Sequence, residues 1–185
     1  MEAFFFAPAS FGSHSEPQGA LLQQNRVNQA PVDVEAIALS LNAQVRKQPT
    51  DEEVSGFLYR EPGKPAVIGV NSRQHPNRQR FTIAHEIGHL ALHNFESVHV
   101  DRGFFVKLRG PASSTGENVE EVEANLFAAE LLMPRAFLKA DLAQHNTVDF
   151  LDDEFLQGLA ARYGVSVQAM TIRLSYLGYL PSDKV

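Results

Sequence analysis

Apolar positions along this chain recur with two different periods, and the switches between them mark its elements. Val34, Ile37, Ala38, Leu41 and Val45 stand at i, i+3, i+4, i+7 and i+11, one apolar face of a helix that begins after Pro31. Ser55-Gly56-Phe57-Leu58-Tyr59-Arg60 and Ala66-Val67-Ile68-Gly69-Val70-Asn71 read as strands. The turn-forming stretch Glu61-Pro62-Gly63-Lys64-Pro65 joins them, so the pair predicts a hairpin. A polar loop, Asn71–Asn77, leads through Pro76 into a second helix that carries Phe81, Ala84 and Leu92. Two strand-like runs follow, Ser97–Asp101 and Phe104–Arg109, and then a loop over 111–116. A helix is predicted from about Glu117 to Met133, stopped by Pro134. Helical segments over 135–144, 152–163 and 166–178 complete the chain, the last with Ser166 as its N-cap.

Residues 1–30 break this pattern. Gly, Ser, Pro and Gln are frequent from Pro8 to Gln29 with no sustained period, which predicts a poorly structured N-terminal arm. Its run Phe4-Phe5-Phe6 is expected to dock on the domain surface. The division is therefore an arm over 1–30, a core over 31–134 and a helical C-terminal subdomain over 135–185 packed on the core.

Composition narrows the class. A chain of 185 residues with 44% hydrophobic content is long enough for one domain with a core of its own. No apolar run reaches the roughly 20 residues that span a bilayer. The apolar start Met1–Pro8 lacks the basic region and cleavage site of a signal peptide. There is no cysteine, which excludes disulfides, thiolate ligands and cysteine nucleophiles and fits a cytoplasmic protein. The net charge of −6 lacks the basic footprint of nucleic-acid binding.

The chemistry sits on the second helix, at His85-Glu86-Ile87-Gly88-His89. Residues four apart share a helix face, so two imidazoles can grip one metal ion while the glutamate reaches a water beside it. The bland alternative, two surface histidines on an ordinary helix, gives Glu86 no role. A catalytic zinc takes a third protein ligand and leaves a position open. His93 continues the series but lies about 12 Å along a straight helix from His85, too far to share the ion. The extended motif H-E-x-x-H-x-x-G-x-x-H fails, because Leu92 and Phe95 occupy its glycine and histidine positions. The remaining candidates are the acids Glu117, Glu120, Glu121 and Glu123 of the next helix. Spacing selects Glu121, because Asn125 follows one turn on and can hold a ligand histidine in the right tautomer. Glu121 also leaves Ala124 and Ala128 small at i+3 and i+7, so two helices can approach closely, and small Gly88 lets something pack against its own helix. Glu123 is the alternative third ligand, about 200° around the helix from Glu121.

Two blocks carry a family resemblance: Phe81-Thr82-Ile83-Ala84-His85-Glu86-Ile87-Gly88-His89-Leu90-Ala91-Leu92-His93, and Glu121-Val122-Glu123-Ala124-Asn125-Leu126-Phe127-Ala128-Ala129-Glu130-Leu131-Leu132-Met133-Pro134. Both resemble the ImmA/IrrE family of metallopeptidases, as does the tail from Leu159 to Leu174, over about residues 32–180 in all. The resemblance implies an α+β, zincin-like peptidase domain. Its short, mostly antiparallel sheet of three or four strands packs on the H-E-x-x-H helix and the Glu-bearing helix, and a helix-turn-helix-like subdomain follows. It implies a bacterial or phage setting, with His85, His89 and Glu121 as metal ligands and Glu86 as general base. The expected metal is zinc, although manganese or iron suits the same donors. The expected partner is a helix-turn-helix repressor of the Xre type, cleaved to derepress stress, mobile-element or toxin–antitoxin genes.

A non-cleaving partner of that repressor or antitoxin is the second reading. A DNA-binding regulator is the third, disfavoured because its supposed recognition helix carries Arg173 as its one base. Peptide hydrolysis also needs a donor to the developing oxyanion. The candidates are His99, Tyr59, Arg73 and His75. Residues 97–101 or 104–108 are expected to supply the sheet edge on which a substrate strand pairs.

Overall fold

The computed structural model describes residues 17–93, 98–101, 116–144 and 152–180. The Phe4–Phe6 segment, the expected strand over 104–109 and the loop over 111–115 lie outside them. The elements run α1 (Pro17–Gln24), α2 (Val34–Ser40), β1 (Ala43–Gln48), β2 (Gly56–Tyr59), β3 (Ala66–Asn71), α3 (Pro76–Leu92), β4 (Val98–Asp101), α4 (Gly116–Leu132), α5 (Arg135–Leu142), α6 (Asp153–Tyr163) and α7 (Val167–Tyr176). Among the described residues the sheet is four-stranded, in the order β1-β3-β2-β4. β2 pairs antiparallel with β3 and with β4, and β1 pairs parallel with β3. The expected hairpin is β2–β3, with Leu58 opposite Ile68. α3 lies across β2 and β3 and packs against α2 and α4. Ile37, Leu58, Ile68, Ile83, Ile87, Phe127 and Leu131 are fully buried in the core these elements share.

Two elements depart from the sequence expectation. The helix after Pro31 does not reach Val45. It is capped by Leu41, and Asn42 takes a left-handed conformation (φ 58°) that turns the chain into β1. Asparagine accepts that conformation at low cost, so it ends helices where a larger side chain would not. β1 then alternates as an edge strand, with Arg46, Lys47 and Gln48 in solvent. The arm also gives way at Pro17, where α1 starts; it buries Leu21 and Leu22 and packs on α4. Pro17 suits a first helical position. Two adjacent leucines in eight residues are too few to show a period.

α3 and α4 approach closely because both are small where they meet. Ala124 and Ala128 are fully buried. A methyl group on Gly88 would stand 3.1 Å from both Cα and the carbonyl oxygen of Ala124. Gly88→Ala is therefore expected to lower the melting temperature. Overpacking costs about 1–3 kcal/mol, and alanine recovers only about 1 kcal/mol of helix propensity. Zinc affinity should fall with it, since α4 carries Glu121.

The C-terminal helices pack on this core. Asp152 and Ser166 cap α6 and α7, and Gly164 ends α6 at φ 63°. Arg80 of α3 donates from Nε to the carbonyl of Gly164 (3.1 Å) and from Nη2 to that of Val32 (2.9 Å), tying the α6–α7 turn to the core. Arg173 is only 4% exposed, where it pairs with Glu130 and donates to the carbonyl of Met133. The one base of the supposed recognition helix thus points inward. Among the described residues, no helix is long and apolar enough to cross a membrane.

Candidate metal centre

α3 brings its chemistry into the interior. His85, Glu86 and His89 are 2%, 0% and 1% exposed, on the part of the helix covered by the sheet and α4. The Nε2 atoms of His85 and His89 lie 3.0 Å apart. Glu121 reaches them from α4, with Oε2 3.4 Å from His85 Nε2 and Oε1 3.3 Å from His89 Nε2. His99 comes from β4, where it pairs across the sheet with buried Leu58, and its Nε2 is 3.1 Å from Glu121 Oε1. One donor atom from each of the four residues lies within 4.8 Å of the others.

These donors fit a divalent ion by spacing and by chemistry. Ligands bonded at 2.0–2.1 Å in a tetrahedron stand about 3.4 Å apart, close to the separations found. The tautomer of His85 follows from its outer partner. Asn125 Nδ2 donates to the carbonyl of Glu121 (2.6 Å), so its Oδ1 faces His85 Nδ1 at 2.9 Å and accepts from it. That leaves a lone pair on His85 Nε2, directed at His89 and Glu121. Burial pushes His89 below its ordinary pKa, favouring the neutral ring that a metal ligand requires. Burial would also raise Glu121, but the imidazoles of His85, His89 and His99 around it outweigh burial and hold this carboxyl well below the usual range.

Of the four candidate donors, His99 alone reaches this cluster. Its ring centre is 3.9 Å from that of His89. Tyr59 instead donates to Glu61 (3.0 Å), and Arg73 to the carbonyl of Thr50. His75 caps α3 by accepting from the Asn77 amide (3.2 Å). Glu123, the alternative third ligand, lies against His93 rather than with the four donors. Sequence reasoning missed His93 as part of the site. Rejected as a ligand, it reads as a C-terminal residue interacting with the helix dipole, although its i+4 spacing from His89 already places it on the same face.

Donors spaced for one divalent ion, with a buried carboxylate next to the first of them, define a metallopeptidase domain. Comparison with known families leads to the same place. The family model described as the IrrE N-terminal-like domain, of the M78 peptidases, matches residues 38–175, from α2 into α7. The chain belongs to this ImmA/IrrE metallopeptidase family. No curated protein matches it.

Proposed function

We propose that this chain is a zinc-dependent endopeptidase of the cytoplasm that cleaves a helix-turn-helix repressor of the Xre type. The observation that carries the hydrolytic part is the convergence of His85, His89, His99 and Glu121 beside buried Glu86. The repressor as substrate rests on the family resemblance.

His85, His89 and Glu121 would hold the metal. When bound, it supplies a Lewis acid and a water of lowered pKa. Glu86 takes the proton of the attacking water and returns it to the leaving amine. His99 donates to the oxygen on which negative charge develops. β4, at the end of the described sheet, offers its backbone to an extended substrate strand, which aligns a peptide bond past His99.

His99→Ala is expected to keep zinc within a few-fold of wild type and to lower kcat about 10²–10³-fold, as loss of one oxyanion donor does. Unchanged kcat would remove His99 from the mechanism.

The function is tested by incubating the purified zinc-loaded chain with the products of its neighbouring genes, any Xre-type repressor first, and analysing the products by mass spectrometry. A defined fragment that disappears on chelation is the expected result. Stable complex formation with an uncut repressor would favour the non-cleaving partner instead. The inward position of Arg173 supports neither phosphate nor base contact by α7.

A further inference from the structure

The contacts of His89 extend outward through two residues that the mechanism does not use. His89 Nδ1 lies 3.1 Å from His93 Nδ1, and His93 Nε2 lies 3.0 Å from Glu123 Oε2. His93 is buried at the C-cap of α3, while the Glu123 side chain is 53% exposed on α4. The backbone of His93 is held from two sides. Its amide donates to the His89 carbonyl (3.1 Å), and its own carbonyl accepts from Arg60 Nη1 (3.1 Å).

We propose that Glu123 and His93 form a relay that fixes the tautomer and ring orientation of His89, and so set the affinity of the metal centre. This rests on the reading of His85, His89 and Glu121 as metal ligands.

The direction of the relay follows from counting protons. An ionised carboxylate only accepts, so the facing His93 Nε2 carries the hydrogen. A neutral His93 then has a lone pair on Nδ1 and accepts from His89 Nδ1–H. His89 is left with its lone pair on Nε2, the atom that faces His85 and Glu121. The opposite direction sets a His93 lone pair against a carboxylate oxygen, acceptor against acceptor. Asn125 performs the same task for His85. Both ligand histidines are therefore oriented from α4, which also carries Glu121, so one helix arranges the whole donor set.

Zn²⁺ affinity of the full chain, measured by competition with a chromophoric chelator, tests the relay, together with ¹⁵N NMR of the histidine rings. Glu123→Ala changes a half-exposed side chain and is expected to fold. Zinc binding should weaken about 10–100-fold, the usual effect of losing an outer partner of a ligand histidine. His93→Ala should do the same. His93→Gln should recover most of the affinity, because its amide oxygen accepts from His89 while its NH₂ group donates to Glu123. In the zinc-bound wild type, His93 should carry its proton on Nε2 and His89 on Nδ1. Wild-type affinity in Glu123→Ala, or a proton on His93 Nδ1, overturns the relay. If the wild type itself fails to bind zinc, the metal-site reading falls and the relay falls with it. If Glu121→Ala loses zinc while Glu123→Ala does not, the relay alone is wrong.

Discussion

Glu86→Gln is expected to abolish proteolysis while leaving the fold and metal affinity nearly unchanged. The substitution is isosteric, and Glu86 is not one of the four residues that place a donor in the cluster. Its side chain is fully buried beside Gly56 of β2, where a Cβ would stand 3.5 Å from Glu86 Oε1. Glutamine keeps the shape of this side chain but cannot accept a proton from water. A general base in this position contributes about 10²–10⁴-fold, so kcat should fall by that much while zinc stoichiometry and melting temperature stay put. Undiminished cleavage by this variant would sink the mechanism. Loss of zinc together with activity would mean that Glu86 helps to hold the ion.

Glu121→Ala is expected to act on the metal first and on catalysis as a consequence. Glu121 is surrounded by His85, His89 and His99, which hold its carboxyl well below the usual range. Removing it deletes the anionic member of the set and leaves neutral imidazoles around the ion. Zinc sites that bind with about 10–16 kcal/mol over four ligands gain a few kcal/mol from each. Loss of Glu121 should therefore weaken zinc about 10²–10³-fold, and cleavage should vanish at zinc concentrations that saturate the wild type. The drop should exceed that of Glu123→Ala, since one is a ligand and the other acts through His93. The reverse order in a chelator competition would exchange their roles.

Much of this was legible in the chain, for a physical reason. Local periodicity and capping depend on neighbours in sequence, so the hairpin of β2 and β3, the helix α3 after Pro76 and the Ser166 cap of α7 could be read directly. His85, Glu86 and His89 share one helix, and their relation follows from its pitch. Glu121 with Asn125 was legible for the same reason, because one turn of α4 sets the two side by side. The small residues Gly88, Ala124 and Ala128 announced a close helix contact. What was misread involved weak or competing local signals. Val45 fits a helical period by chance, and the left-handed Asn42 that ends the helix shows only in the backbone.

By itself, then, the sequence determined an H-E-x-x-H helix, a Glu-x-x-x-Asn helix to complete it, and the family to which both belong. Only the tertiary structure decided what surrounds them. It brought His99 from β4 into the donor cluster, sent Glu123 to His93, and turned Arg173 inward. These pairs are separated by tens of residues or lie on different elements. Their meeting is set by how the sheet, α3 and α4 pack, and no local period along the chain encodes that.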